Sequence, residues 1–216
     1  HVQIDNLDLP LSAGAELFPV AYSVEDRIDL EHYMRPHHDD PGGDLAQWAR
    51  QFLHTDGMTD TRALLVQMNQ FIRDNFQYVQ REEEGTQTPL QTLQLGAGSC
   101  RDFALLMMEA ARRLGFATRF VTGYLYDPSL DSGNLDVGEV IGAGVTHAWL
   151  QAFLPGVGWV PFDPTNNMTG GKHLIRVGVA RDPKQASPIS GSWFGAANAY
   201  LGMTVEVQVR RVTTSV

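Results

Sequence analysis

Cysteine is almost absent: among 216 residues only Cys100 occurs. No internal disulfide can form, which excludes a small disulfide-stapled scaffold and leaves bridges silent about compartment. Long apolar runs are missing too, and no segment approaches bilayer-spanning length. The opening residues carry neither the basic nor the apolar region of a secretory leader; with no initiator Met, processing or further residues are expected ahead of His1. There is no Lys/Arg cluster, and 16 basic against 25 acidic residues give a net charge of -9, which argues against binding a phosphate backbone. Neither nucleic acid nor membrane is therefore an expected partner. Asp/Asn spacing of the EF-hand kind is also lacking, so no calcium site is expected. What is present, 43% apolar residues with four Trp, suffices for one core in one domain with an appendage.

The single cysteine stands in Gly96-Ala97-Gly98-Ser99-Cys100-Arg101-Asp102, a glycine-rich turn leading into an apolar-periodic stretch. Ser99 as N-cap with Asp102 three residues on reads as a capping box, which sets Cys100 in the first turn of a helix. Unpaired N–H groups and the positive dipole end there favour the thiolate, the nucleophilic form. A lone cysteine is by default a small buried hydrophobe. Two downstream segments change that reading: Thr146-His147-Ala148-Trp149, and Trp159-Val160-Pro161-Phe162-Asp163-Pro164-Thr165. They supply a base and an orienting carboxylate, in the order Cys, His, Asp, on segments that read as short strands.

Through these segments the chain resembles the transglutaminase-like superfamily, whose pattern is Gly-x-Cys at a helix start, then His-Ala-Trp, then Gly-Trp-x-x-x-Asp-Pro-Thr. The likeness spans roughly Phe76 to Thr165. A weaker one, through Arg181-Asp182, extends to bacterial members named cysteine proteases by analogy. The resemblance implies a transglutaminase-like, papain-like core. It makes Cys100 the nucleophile, His147 the general base and acid, and Asp163 the group that orients the imidazole, with neither cofactor nor metal. The implied chemistry is attack on an amide or peptide carbonyl through a thioester, foremost in a cysteine protease or amidase. Acyl transfer to an amine and a catalytically silent binding module are the alternatives. A peptide or protein amide is the expected substrate, and a free thiol suits a reducing cytosol, hence a cytoplasmic location. Papain-type and caspase-type proteases fit poorly because their His falls elsewhere in the chain. Arylamine N-acetyltransferases show Arg-Gly-Gly before the Cys, where this chain has Ala97-Gly98-Ser99. Relatives use an upstream aromatic or Gln as second oxyanion donor; Tyr78 reads more simply as a core tyrosine.

The remaining sequence sets the frame. Residues 1–42, with four prolines and Gly42 at the end, read as extended arm and loop; 43–216 read as the catalytic domain. Asp44 is expected to cap a short helix bearing Leu45, Trp48, Ala49 and Phe52, and Asp60 or Thr61 to start a longer one. Gly115 is expected to end the Cys100 helix. Thr118–Tyr126, Val145–Leu154, Trp159–Phe162, Leu174–Ala180 and Met203–Val212 read as strands. Helices followed by strands predict an α+β fold, with the Cys helix packed on a mostly antiparallel sheet. Counting Pro155–Gly158 as a four-residue connection misplaces Asp163 against His147 by about three positions, so a bulge near Pro161 is expected. Trp149 and Trp159 are expected to pack beneath the site, and the stretch from Asp127 to Gly144 to border the cleft. His37-His38-Asp39-Asp40 reads as a solvated loop rather than a metal site. Gly96-x-Gly98 lacks the third glycine of a dinucleotide fingerprint, and Asn167-Met168-Thr169 is a glycosylation sequon only in a secreted chain.

Overall fold

The computed structural model describes residues 8–127, 141–142 and 145–187, apart from 56 and 82, and scattered positions from 194 to 209. Within them the order is α1 (Val24–Met34), α2 (Asp44–Arg50), α3 (Thr61–Asn75), β1 (Gln77–Tyr78), α4 (Pro89–Leu95), β2 (Ala97–Gly98) and α5 (Cys100–Arg113). Strands β3 (Thr118–Leu125), β4 (Thr146–Leu154), β5 (Gly158–Asp163), β6 (Met168–Thr169) and β7 (Leu174–Ala180) follow, and a short 3₁₀ turn (Pro183–Ala186) comes after β7. The five strands form one antiparallel sheet in the order β6-β5-β4-β3-β7, while β1 and β2 make a separate parallel ribbon. This is the expected α+β architecture. Most of the strand expected at 203–212 lies outside the described residues.

Helix α5 is the central element. From Asp102 to Arg112 every residue is buried, as befits a helix enclosed on all sides rather than one with a single apolar stripe. One flank meets Ala148, Leu150 and Ala152 of β4 and Phe120 of β3; Leu45, Leu64, Leu65 and Met68 of α2 and α3 complete the same core. Gly115, with φ of 88°, ends the helix as expected. The bonds Gly115 N–H to Arg112 O and Phe116 N–H to Ala111 O make this a Schellman end. Near that end Glu109 and Arg112 are fully buried. Glu109 accepts from the backbone N–H of His37 and His38, from Arg112 Nη1 at 2.7 Å and from Arg113 Nη1 at 3.0 Å.

Several expectations are corrected. The segment read as extended arm and loop contains α1, nucleated by Ser23, whose hydroxyl accepts from Asp26 N–H at 3.0 Å, with Glu25 and Asp26 in the first turn. The arm is also built into the core. Tyr22 Oη donates to Phe153 O and accepts from Ala117 N–H, and Ser12 N–H donates to Pro155 O. Helix α4, unforeseen, starts at a Thr88-Pro89-Leu90-Gln91 capping box. Asp44 caps nothing; Asp40 reaches forward instead and accepts from Leu45 and Ala46 N–H. The His37–Asp40 stretch is thus tied to α2 and α5, not merely solvated.

No bulge occurs at Pro161. Leu154 pairs with Gly158, so the β4–β5 connection is three residues long, and the register runs unbroken to Leu150 opposite Phe162. Continued, it sets Asp163 opposite Trp149 and on the face of His147, a diagonal neighbour within reach of a long side chain. Pro161 fits a regular strand because its carbonyl accepts from Gly170 N–H on the side away from β4. A residue's N–H and C=O share a side, so the missing donor costs the β4 ladder nothing. The register shift lies instead between β3 and β7, at Thr122 and Gly123.

Candidate active site

The turn that delivers Cys100 is fixed by a buried carboxylate. Asp102 Oδ2 accepts from Ser99 N–H and from Ser99 Oγ–H, both at 2.8 Å. Oδ1 accepts from Gln87 N–H at 2.7 Å, and Arg81 Nη1 lies 2.9 and 3.0 Å from the two oxygens. The expected capping box between Ser99 and Asp102 is formed, and the Ser99 hydroxyl also donates to the Asp102 carboxylate. In return Asp102 locks together the Gly98–Cys100 turn and the 81–87 loop. Gly98 has no room for a side chain, since a Cβ there would stand 2.8 Å from that of Asp102. Cys100 itself is partly exposed, at the first turn of α5.

His147 and Asp163 meet as a buried pair, with Nε2 2.8 Å from Oδ2. Asp163 Oδ1 accepts from Thr165 N–H at 2.9 Å, an Asx-type turn, and Oδ2 also accepts from Asn166 Nδ2 at 2.9 Å. With Nε2 committed to the carboxylate, Nδ1 is the atom available for exchange with a reacting group. Burial alone would drive the imidazole toward neutrality. The charge and hydrogen bond of Asp163, and then a side-chain hydrogen bond and charge from Cys100, overcome it and push the His147 pKa up to about 10. Around neutral pH the ring is an imidazolium beside the sulfur. The three residues singled out in the sequence are brought together here.

Surrounding groups complete the setting. Trp149, fully buried, stacks on the His147 ring with centroids 6.2 Å apart and packs as expected. Its ring runs under Gly123, where a Cβ would meet Trp149 Cη2 at 2.8 Å and Ile175 O at 2.0 Å. Trp159 does not lie beneath the site. It sits at the hairpin end of β5, packed on Tyr33 and Phe153, with the Arg119 guanidinium 4.1 Å from its ring centroid. Tyr78 is half-buried in β1, opposite Gly98. Burial and then the charge of Cys100 raise its pKa, with a smaller push from Asp163. Most of the stretch from Asp127 to Gly144 lies outside the described residues, yet Gly142 borders the ring: a Cβ there would be 2.7 Å from His147 Nδ1. Sequence reading passed over Asn166 and Gly142. The only signal was an Asn three residues beyond Asp163. Among the described residues no group of three or more His, Cys, Asp or Glu could hold a metal ion.

A family model described as the transglutaminase-like superfamily matches residues 46–164, a span that contains Cys100, His147 and Asp163. The chain belongs to this superfamily. Among similar proteins, the uncharacterized protein ML0607 of Mycobacterium leprae is 32% identical over 148 residues, which cover 68% of this chain and 50% of that one. Rv2569c of Mycobacterium tuberculosis is 32% identical over 116 residues, 51% of this chain and 35% of its own. The chain thus spans half or less of the length of these relatives. A crystal structure of a candidate cysteine protease from Cytophaga hutchinsonii shares the fold, with a TM-score of 0.59 and 22% identity over 80% of this chain and 53% of that one. The transglutaminase-like chain therefore has a thiol-enzyme fold. No helix among its described residues is long and apolar enough to cross a membrane.

Proposed function

We propose that this transglutaminase-like chain is a thiol hydrolase acting on peptide or protein amides, with Cys100, His147 and Asp163 as its triad. The observation that carries the reading is the 2.8 Å contact of His147 Nε2 with the buried Asp163 carboxylate, with Cys100 acting on the same ring. The Cys100 thiolate attacks the amide carbonyl carbon, and the tetrahedral oxyanion is met by the Cys100 backbone N–H and the Tyr78 hydroxyl. His147 gives its proton to the leaving amine as the C–N bond breaks, leaving a thioester on Cys100. The neutral imidazole then takes a proton from water, whose oxygen attacks the thioester and releases a carboxylic acid and the thiolate. An amine in place of water would give acyl transfer instead. Residues 43–216 form the catalytic unit in this reading, and a reducing compartment such as the cytosol suits its thiol.

Mass spectrometry after exposure to a mixture of amide and ester donors, with and without a primary amine, tests this. A thioester mass on Cys100 that decays to acid supports the hydrolase, and amine-dependent decay moves the assignment to acyl transfer. An alkylatable thiol that takes no acyl group from any donor would overturn both and leave a binding module.

A further inference from the structure

The Asn166 side chain makes three hydrogen bonds, more than an exposed loop asparagine would need. Its Nδ2 donates to Asp163 Oδ2 and to Ile141 O, each at 2.9 Å, and its Oδ1 accepts from Ile141 N–H at 2.8 Å. Three of the four lone-pair and N–H directions of the amide are therefore used by polar atoms of opposite character. The amide orientation is fixed by this pattern: a flip would set its carbonyl against a carboxylate and a second carbonyl. The same oxygen of Asp163 receives His147 Nε2, and the residue after Ile141 is Gly142, which lies against His147 Nδ1. One side chain thus touches the partner of one imidazole nitrogen while tethering the backbone that abuts the other.

From this geometry we infer that Asn166 is a positioning residue, which holds the Asp163 carboxylate toward Nε2 and pins the Ile141–Gly142 backbone against Nδ1. The inference rests on the triad reading above. It goes beyond it in giving the imidazole a second support, reached through an amide and not through a charge. The titratable groups that act on the imidazole are Asp163 from β5 and Cys100 from α5, and Tyr78 from β1 interacts in turn with Cys100 and Asp163. With the tether gone, Ile141 and Gly142 leave the ring and water reaches it. Water screens the attraction of Asp163 and Cys100 for the imidazolium, so the ring's proton affinity moves back toward the ordinary value. An Asp at this position keeps an acceptor for Ile141 N–H but adds a negative charge beside Asp163, which moves the proton affinity the other way.

The test is an NMR titration of the His147 ring, together with the rate of Cys100 alkylation by iodoacetamide at pH 7, in wild type, Asn166→Ala and Asn166→Asp. Asn166→Ala is expected to titrate well below wild type and to alkylate about tenfold more slowly, the weight of one hydrogen bond to a charged group. Asn166→Asp is expected to titrate at or above wild type. Opposite displacements separate the effect from unfolding, which would bring both rings to the ordinary value alike, and the downward one in folded Asn166→Ala is the signature of the lost tether. Folded variants that titrate with wild type, or that both move down, overturn the inference; should Asn166→Ala not fold, Asn166→Asp titrating below wild type does so alone. The wild-type curve judges the triad reading separately: a ring titrating near 6.5 with an alkylation midpoint near 8.5 would remove the ion pair whatever the variants do.

Discussion

Arg81 Nη1 lies within 3.0 Å of both oxygens of the buried Asp102 carboxylate, across the loop that leads to the Cys100 turn. Asp102 has no exposed surface and Arg81 little, so each is the other's main charge partner. Replacing Arg81 by Met leaves a buried carboxylate with only neutral donors. A loss of about 3–5 kcal/mol follows, the range for one partner removed from a buried pair. Urea unfolding of Arg81→Met checks it, and a midpoint equal to wild type would mean that Gln87 and Ser99 alone can hold the charge.

Gly142 is expected to tolerate no side chain. A methyl group would sit 2.7 Å from His147 Nδ1, at a backbone φ of 91° that disfavours every residue but glycine. Gly142→Ala should reduce Cys100 acylation by about tenfold to a hundredfold, the scale of a small misplacement of a reacting group. Acylation kinetics alongside a thermal melt separate this from unfolding. An unchanged rate would mean that the ring has room to yield.

Glu109 is a second buried charge, remote from the sulfur on the same helix. It balances Arg112 and Arg113 and takes the backbone N–H groups of His37 and His38. Glu109→Ala should cost about 3–5 kcal/mol, while a Glu109→Met, Arg112→Met pair should recover part of the loss because no unpaired charge is left inside. Denaturant midpoints of the two variants decide the matter.

Stability should fall on both sides of neutral pH, for different reasons. His147 is pushed up to about 10 from 6.5, so its contribution is complete below about 6.5 and is lost as the pH climbs through about 10. Glu109 has the opposite sign: burial would raise it, but Arg112, the His38 N–H and Arg113 hold it below the ordinary carboxyl value. Its contribution is present above about 4.3 and disappears on acidification. His38, lowered mainly by burial, adds to the acid loss, since its contribution is present above about 6.5 and fades as the pH drops. Urea midpoints across pH should trace this dome, and His147→Gln should flatten the alkaline side alone. An alkaline limb unchanged in that variant would exclude His147 as its source.

Where the sequence spoke clearly, the signal was local. Cys100 follows a cap and two glycines, His147 and Asp163 lie in short aromatic-flanked segments, and Gly115 stops the helix in the ordinary way. Errors arose where geometry depends on a partner far along the chain. The supposed bulge at Pro161 came from counting Gly158 as loop, although it pairs with Leu154. Asp44 looked like a cap because it adjoins its helix, yet Asp40 does the capping from outside, held by Arg113 at 3.3 Å. Helix α1 hid among prolines and buries only Leu30, so it has scarcely any apolar stripe to read. Asn166 stayed invisible because the contacts that hold it are made to Ile141, 25 positions away.

The sulfur is mounted at the tip of a rod that the interior grips along its whole length from Asp102 to Arg112. Such a rod cannot tilt or slide to admit a bulky acyl group without disturbing the strands and helices around it. Accommodation must come from the thinner pieces at its tip, and heat should therefore extinguish chemistry and architecture in a single event rather than in sequence.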